Sequence, residues 1–489
     1  MQATAPTPTP DILPFTSRAR LRHLAAEERE RLKQGTLRIL EEIGVRIPSK
    51  KALSLFADHG ARVDKDTQIV RIPSDLVQKA MSTAPRSFVL AGREKRLDLL
   101  LDGTRSYLCT EGCGVHVIDP DTRRMRASCK ADVARSARIA DALPLVGFYW
   151  PMVTAQDCGT TAPLHDCHAA LHNTLKHVRG GTTVPPFLAK YIVETAVVAA
   201  GDRERLRRRP PINANICTIS PLGHDANGLE AALMYAEAGI PVSFMAMPTM
   251  GSTAPASVYG AMLVGDAEVI SGMVMIQLAF PGAPVFHSVL VSMMDPRTGG
   301  YIAEHTQPVK LLATELGHAW HVPSLGGGGV ATDAVENGWQ SGVEGGLGSL
   351  FIGLSGAEIC GHLGLTAGAM ILSPEKMVMD HELCLMAYEL MNGVDFDAAG
   401  MALDVIRDVG PGGHFLMERH TVEHVRDFRI SKLLHRRDQE DAPLEPRQLA
   451  REVYQQIDQG HFPAPLPPAV VREMDRILSA ADQEAEKRR

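Results

Sequence analysis

The sequence has little of several features that identify common classes of protein. Aromatic residues make up 5% of its 489 positions, and eight cysteines are too few for the disulfide framework of a secreted protein. Basic residues are not in excess, because lysine and arginine total 50, aspartate and glutamate total 57, and the net charge is -7. Proteins that bind nucleic acid usually carry a basic domain or stripe, so we expect no nucleic-acid partner.

Long uninterrupted apolar runs are also missing. The longest runs contain glycine, proline or charged residues, which predicts no membrane span. The first residues, MQATAPTPTPD, lack the charged start and apolar core of a secretory signal, so we expect a soluble cytoplasmic protein. The chain does have 45% hydrophobic residues, 43 glycines and 21 methionines, which suits a large, closely packed α/β fold.

Short apolar runs alternate with helical patterns from about residue 130 onwards. This alternation predicts βαβ units with a parallel sheet, and seven or eight units favour a (β/α)8 TIM barrel over an open sheet. The predicted strands are LVGFYWPMVT, HVRGGTTV, INANICTIS, PVSFMAMPT, PVFHSVLVS, VPSLGGGG and CGHLGLTAG, with another near GGHFLME. We expect four regions: a disordered N-terminus (1–18), an N-terminal α+β extension (19–130), the barrel (131–435) and a C-terminal helical segment (436–489).

Four consecutive glycines, Gly326, Gly327, Gly328 and Gly329, follow one of the predicted strands. A phosphate-binding P-loop would need a lysine after them, and the dinucleotide-binding pattern fits only loosely. At the C-terminal end of a barrel strand, glycines could form a tight turn or let a flat cofactor approach the backbone. Asp333 could cap the next helix, contribute a polar group to the site, or do both.

Histidine spacing raises the question of a metal site. His165, His168 and His172 share one face of a predicted helix, but the segment HAALH lacks the glutamate of the H-E-x-x-H zinc motif. Ordinary surface or barrel-rim histidines are the simpler interpretation, and we expect no bound metal.

Two aromatic residues, Tyr149 and Trp150, lie near the end of a predicted strand in a chain that is poor in aromatics. Aromatic faces attract quaternary ammonium groups, although packing in the core would also explain them. Glu111, in the segment CTEGCG, could hold a cationic substrate or belong to a solvated turn.

Several longer segments carry a resemblance to a known family. They are TLRILEEIGVRI, GSTAPASVYGAMLVGDAEVISG, PGAPVFHS, MDPRTGGYIAEHTQPVKLLATELGHAWHVPS and GPGGHFLMERHTVEHVRDF. Together they resemble the trimethylamine methyltransferase family over most of the chain. The family includes pyrrolysine-containing trimethylamine:corrinoid methyltransferases and pyrrolysine-free relatives that demethylate glycine betaine and similar quaternary amines.

This resemblance implies a TIM-barrel enzyme that moves a methyl group from an amine to the Co(I) of a corrinoid (cobalamin). The corrinoid is carried by a separate corrinoid-binding protein, and the enzyme needs no metal of its own. All 489 residues are of standard types, whereas in the family pyrrolysine is tied to trimethylamine. We therefore expect a quaternary amine such as a betaine as the methyl donor, and we expect a homo-oligomer.

On this hypothesis Tyr149 and Trp150 hold the ammonium group, and Glu111 or Asp333 supplies negative potential. The remaining polar lining is predicted from residues near strand ends: Ser220, His287, Ser292, Asp295 and His362. The glycines at 326–329 would lie beside the corrin ring, with Asp333 next to them. The resemblance assigns no catalytic residue.

Three alternative functions stay open at this point. They are a trimethylamine-specific methyltransferase, a metal-dependent TIM-barrel hydrolase or lyase, and a non-catalytic module that binds methylamines. A stoichiometric metal ion would favour the second, and ligand binding without methyl transfer would favour the third.

Overall fold

The computed structural model describes residues 6–110, 112, 114–303, 307–393, 399–428, 430–434, 436–438 and 441–488. Its centre is a series of eight short parallel strands. In chain order they are β1 (Tyr107–Thr110), β2 (Val146–Tyr149), β3 (His177–Gly181), β4 (Ile212–Ile219), β5 (Val242–Ala246), β6 (Val285–Val289), β7 (Leu325–Gly329) and β8 (Ile359–Leu363). The strands are mostly buried on both faces, which explains why they read as apolar runs.

Consecutive central strands pair in parallel from β1 to β6, and β7 pairs with β8. The last strand, β8, pairs in parallel with the first, β1. Between β6 and β7 there is an isolated parallel bridge that joins His287 to Ser324. The protein therefore has a mixed α/β fold in which the strands follow one another in chain order.

A helix follows each central strand. These helices are Lys130–Ala142, Ala162–Asn173, Pro186–Ala200, Ala226–Ala238, Val258–Ala279, Gln307–Ala319, Trp339–Ser355 and Pro374–Asn392. Further α-helices are Ala26–Arg38, Lys50–Asp58, Ser74–Met81, Arg203–Arg208, Leu403–Val409, Arg419–His424, Pro446–Gly460 and Pro468–Lys487. Small peripheral strands are Val45–Arg46, Arg62–Asp64, Ile69–Arg71, Phe88–Leu90, Leu99–Leu101, His116–Ile118, Met125–Ala127, Gly223–His224, Thr249–Met250, Ser292–Met294, Tyr301–Ile302, Leu365–Thr366 and Ile371–Leu372.

One predicted strand is wrong, and one central strand was placed in the wrong region. The predicted strand GGHFLME, at residues 412–418, forms turns and irregular structure and contains no strand. The strand that completes the series is Tyr107–Thr110, inside the region predicted as an N-terminal extension that ends at residue 130. A run of four residues is too short for its hydrophobic periodicity to distinguish a buried central strand from one strand of a β-hairpin. The misassignment was easy here because a β-hairpin at 116–127 follows this strand directly.

The core has an inner and an outer layer. Because successive residues of a strand face opposite sides, neighbours such as Phe148 and Tyr149 enter different layers. The inner cluster contains Phe148 and Trp150 together with residues such as Phe286, and the outer cluster lies between the strands and their helices.

The helix Val258–Ala279 is long and apolar enough to cross a membrane by composition alone. In this protein 89% of its most apolar window is buried inside the fold. It also carries two buried carboxylates, Asp266 and Glu268, which are bonded to other elements. It is therefore a helix of the protein core.

The two predicted C-terminal helices are present and lie on the outside of the strand-and-helix body. Helix Pro446–Gly460 packs on Pro374–Asn392, and Pro468–Lys487 packs on Pro186–Ala200 and Ala162–Asn173. A buried carboxylate connects the chain ends, because Asp141 accepts hydrogen bonds from Thr9 and His461.

Candidate functional site

A cavity of about 300 Å³ lies at the C-terminal ends of the first four central strands. It is lined by Gly114, Trp150, Pro151, Val153, Thr154, Pro163, Asp166, Cys167, Arg179, Gly180, Gly181, Thr182, Thr183 and Cys217. In parallel α/β folds, ligands bind at this edge because the strand-to-helix loops meet there. Its volume is at the lower end for ligand pockets and suits a small molecule.

Trp150 forms one wall of this cavity, directly after β2. Its backbone N–H donates to the hydroxyl of Thr110 at 2.8 Å, and that hydroxyl donates back to the Trp150 carbonyl at 2.7 Å. The backbone of Gly112 lies so close to the indole that an added Cβ would fall 1.7 Å from Nε1. The ring is therefore fixed by the end of β1.

A buried cation covers the Trp150 ring. The guanidinium carbon of Arg179, from β3, lies 3.7 Å from the ring centroid. Arg179 also donates from Nη2 to the carbonyl of Asn215 at 3.2 Å. Stacking on an aromatic face and a second fixed contact hold the guanidinium in one orientation at the cavity wall.

A carboxylate lines the same cavity. Asp166, in helix Ala162–Asn173, accepts hydrogen bonds from the N–H of Ala155 at 2.8 Å and from the hydroxyl of Thr154 at 2.9 Å. Burial raises the pKa of Asp166 to about 7, because the charged form loses hydration, and the negative charge of Asp157 adds to the effect. Carboxylates with raised pKa values are concentrated at functional sites.

His362 is the other predicted site residue near Trp150. It lies in β8 with a φ of 67°, and its ring centroid is 6.3 Å from that of Trp150. A non-glycine residue with a positive φ is uncommon and is often found at functional sites. The structure thus brings Trp150 and His362 close together.

Tyr149 does not share this position, and its predicted role beside Trp150 is corrected. Its hydroxyl donates to the carbonyl of Val133 at 3.1 Å and lies 2.8 Å from the hydroxyl of Ser136. Both partners belong to helix Lys130–Ala142, on the outer side of the strands. The alternation of side chains along a strand explains this, because the side chains of Tyr149 and Trp150 point to opposite sides of the sheet.

His287 is corrected for the same reason. It is fully buried, and its Nε2 lies 2.8 Å from the Asp266 carboxylate in helix Val258–Ala279. The same carboxylate accepts hydrogen bonds from the hydroxyl of Thr36 and the indole N–H of Trp320. This group joins β6 to three helices and faces away from the strand interior.

Ser220 and Asp295 lie in loops beyond strand ends, and Ser292 begins the small strand Ser292–Met294. Ser220 donates to the carboxylate of Glu268 at 2.9 Å, and Ser292 is bonded to the hydroxyl of Thr249 at 2.9 Å. Asp295 accepts hydrogen bonds from Arg297, which lower its pKa to about 2. None of these three side chains lines the cavity next to Trp150.

The glycines at 326–329 lie within strand β7, at the end of the predicted strand VPSLGGGG. A Cβ on Gly329 would lie 1.9 Å from the carbonyl oxygen of Gly361 in β8, so glycine is required there by the neighbouring strand. The register between these strands shifts at this point, which indicates a bulge. At Gly329 the close approach is therefore one between strands.

Asp333 is not the cap of the next helix, which begins at Trp339 after Gly338. Its carboxylate instead accepts a hydrogen bond from the N–H of Ala303 at 3.0 Å, which connects two strand-end loops. Glu111 lies outside the described residues.

Sequence reasoning missed the two charged residues of the cavity. Arg179 stands in the apolar predicted strand HVRGG, and a lone buried charge in such a run is a signal for a site. Asp166 has no comparable signal, because it lies among the histidines of a helical segment. The cavity wall thus carries a buried cation, Arg179, and a partly buried carboxylate, Asp166.

Comparison with known proteins identifies the class. A family model for trimethylamine methyltransferase (MTTB) matches residues 2–484, and the chain belongs to this family. This confirms the resemblance seen in the sequence and the prediction of an enzyme that transfers methyl groups of methylated amines.

Two similar proteins are named for their activities. Trimethylamine methyltransferase MttB of Desulfitobacterium hafniense (strain DSM 10664 / DCB-2) is 30% identical over 469 residues, which cover 94% of this chain and 93% of that protein. Glycine betaine methyltransferase of Desulfitobacterium hafniense (strain Y51) is 28% identical over 472 residues, covering 94% and 97%. The crystal structure of Methanosarcina barkeri monomethylamine methyltransferase (MtmB) aligns with 94% of this chain and 92% of that chain, at 13% identity and a TM-score of 0.47.

Proposed function

We propose that this enzyme transfers a methyl group from a quaternary amine that also carries a carboxylate, such as a betaine, to the Co(I) of a corrinoid on a separate protein. The observation that carries this proposal is the pair of opposite charges in one small cavity, Arg179 and Asp166. A betaine is a zwitterion, so each of its charges has a counterpart there. Trimethylamine has no carboxylate for Arg179 to bind.

The charge state of the donor explains why few catalytic groups are needed. A methyl group leaves nitrogen readily only when the nitrogen is positively charged, and a quaternary ammonium group carries that charge at every pH. The task of the protein is then to hold the donor in line with the acceptor and to exclude water. The apolar parts of Trp150, Pro151 and Val153 serve this purpose at the cavity wall.

Arg179 sets the orientation of the donor in this proposal. Its guanidinium already covers the Trp150 ring, so the ammonium group does not stack on that face. A guanidinium binds a carboxylate through two parallel hydrogen bonds, which fixes direction as well as position. The ammonium group then points towards Asp166, whose carboxylate is held by the loop after β2.

We propose further that the eight central strands close into the predicted (β/α)8 barrel. The pairing of β8 with β1 and the bridge between His287 and Ser324 support this closure. In such a barrel the cavity would open on the C-terminal face, where barrel enzymes bind their substrates.

The rim of that face fits a large, flat and partly apolar partner group. Four large apolar side chains at or just beyond strand ends are at least two-fifths exposed: Ile219, Met247, Tyr301 and Met370. Exposed apolar groups that ring a polar cavity are typical of docking sites. The corrinoid supplies, when bound there, the reduced cobalt that accepts the methyl group.

Two further expectations belong to this proposal. The seven described cysteines that are free thiols, and the reducing conditions that Co(I) requires, support a cytoplasmic enzyme. Trp339, Val343 and Leu347 form an exposed apolar stripe along helix Trp339–Ser355, which supports a homo-oligomer.

The direct test is an assay of methyl transfer to Co(I) cobalamin with purified enzyme and a panel of donors. The panel contains glycine betaine, longer betaines, tetramethylammonium and trimethylamine. We expect methylcobalamin, followed by its absorption spectrum, only with donors that carry both a quaternary nitrogen and a carboxylate. Equal turnover of trimethylamine or tetramethylammonium would contradict the zwitterion hypothesis, and no turnover with any methylated amine would contradict the proposed reaction.

A further inference from the structure

Two histidines on the outer surface of the body lie next to the C-terminal helix. His168 and His172 are one turn apart in helix Ala162–Asn173, and their rings stack with centroids 4.1 Å apart. Asp475, from helix Pro468–Lys487, places a carboxylate oxygen 2.9 Å from His168 Nε2. One ligand atom from each of the three residues lies within 4.8 Å of the others.

The hydrogen bonds of His172 leave one ring nitrogen available. Its Nδ1 lies 2.7 Å from the carbonyl oxygen of His168, so Nδ1 carries the proton and donates it to that carbonyl. The lone pair is then on Nε2, which is buried and has no hydrogen-bond partner among the described residues. Metal-binding histidines are usually oriented in this way, with the second nitrogen bonded to a carbonyl or carboxylate.

His168 differs in the nitrogen that it offers, because its Nε2 is the one that faces the Asp475 carboxylate. Its residue is more than nine-tenths buried, and its Nδ1 also has no partner within the described part of the chain. Buried polar atoms without partners are rare because each costs free energy, and a cation bound at Nε2 of His172 would satisfy one of the two.

The surrounding charges leave room for a cation. Lys130 is the nearest competing positive charge, and its Nζ lies 3.0 Å from His165 Nδ1, on the next turn of the same helix. Asp475 supplies a negative charge, and its side chain is 57% exposed and able to turn. Two atoms bound to one zinc ion lie roughly 3 to 3.5 Å apart, so the cluster needs to close by about 1 Å.

We propose that His168, His172 and Asp475 bind one divalent transition-metal ion that fastens the C-terminal helix to the body of the protein. Two imidazoles and one carboxylate, with water in the fourth position, form a donor set that Zn²⁺ accepts. This proposal revises the expectation, made from the histidine spacing alone, that the protein has no metal. Spacing could not reveal the site, because Asp475 is 307 residues from His168. The proposal is independent of the methyl-transfer reaction.

The experiment uses the untagged full-length protein, treated with a chelator and then titrated with ZnCl₂. Calorimetry and elemental analysis measure the affinity and the zinc bound per chain, and thermal unfolding is recorded with and without zinc. We expect one equivalent of zinc and a higher unfolding midpoint with the ion present. Substitution by Co²⁺ should give the visible absorption bands of a tetrahedral site.

The variants locate the ion. His172→Ala and Asp475→Asn each remove a ligand at a partly or fully exposed position, and zinc affinity should fall at least about tenfold. His165→Ala is the matched control, because His165 pairs with Asp482 across the same two helices but is not a ligand. It should bind zinc as the unmodified protein does. Absence of stoichiometric zinc, or unchanged affinity in either ligand variant, would overturn the proposal.

Discussion

The guanidinium carbon of Arg179 lies 3.7 Å from the ring centroid of Trp150, so the aromatic wall of the cavity is covered by a cation of the protein itself. An aromatic wall alone would suggest an ammonium cage. With Arg179 in front of it, the same wall presents positive charge to the ligand. This relationship is the reason that we expect the donor to carry a carboxylate.

Replacing Arg179 tests this role. In Arg179→Gln the charged hydrogen bonds to the donor carboxylate are lost, and KM for glycine betaine should rise about 10- to 100-fold. Because the methyl-transfer step itself does not use the guanidinium, kcat at saturating donor should change less. Steady-state kinetics with Co(I) cobalamin measure both values. An unchanged KM would remove Arg179 from the donor site.

Matched substitutions can distinguish the role of Trp150 in donor binding from the structural role of Tyr149. Trp150→Phe shortens the cavity wall and loosens Arg179, so KM should rise. Tyr149→Phe removes only a hydroxyl that contacts helix Lys130–Ala142, so it should cost about 1 kcal/mol of stability and leave KM unchanged. Kinetics and chemical denaturation of both variants check this. If Tyr149→Phe raised KM and Trp150→Phe did not, Tyr149 would be the residue that contacts the ammonium group, as the sequence predicted.

Asp166 should make donor binding depend on pH. Its folded-state pKa is about 7, so its carboxylate is protonated as the pH falls below that value and the attraction for the ammonium group is lost. KM should therefore rise below pH 7, by up to about tenfold per pH unit if only the charged form binds. In Asp166→Asn we expect a high KM that no longer varies with pH in this range. A pH profile unaltered by the substitution would contradict this role.

The same shift has a consequence for stability. A carboxylate whose pKa is raised on folding contributes most stability at low pH and loses it as the pH rises through about 7. Asp166→Asn should therefore raise the unfolding midpoint at about pH 8 and have a smaller effect at about pH 5.5. Thermal unfolding at the two pH values measures this difference.

Gly329→Ala should destabilise the strand series. The added methyl group would lie 1.9 Å from the Gly361 carbonyl oxygen, so β7 and β8 would have to separate. We expect a loss of several kcal/mol, or insoluble protein. Gly346→Ala is the control, since a Cβ at this helical position meets no atom within 4 Å and should stabilise by up to about 1 kcal/mol. Equal stability of the two variants would show that the close contact between Gly329 and Gly361 does not require glycine.

Asp266 should matter for stability and not for the reaction. Asp266→Asn weakens the bonds to His287, Trp320 and Thr36 in a fully buried group, and we expect a loss of about 2 to 4 kcal/mol. The activity of the folded fraction should be retained, because the group faces away from the cavity. Denaturation and kinetics on the same preparation separate the two effects. Asp58→Asn, at an exposed helical position, is the control.

The sequence by itself determined much of the fold and the class of reaction. Seven of the eight central strands were predicted, because buried parallel strands are continuous apolar runs between helical patterns. The family could be identified because its similarity is spread over the whole chain. Trp150 and His362, both near strand ends, were named as site residues from the sequence, and the structure places their ring centroids 6.3 Å apart.

Only the tertiary structure decided which polar residues share a cavity. Strand alternation sends Tyr149 and Trp150 to opposite sides, and no composition argument could choose which of them faces the cavity. The contact of Arg179 with Trp150 joins the ends of two strands, and that of Asp475 with His168 joins two helices that are far apart in the sequence. These contacts depend on how separate helices and strands pack against each other. The spacing of residues along one segment predicts only contacts within that segment, so it could not reveal them.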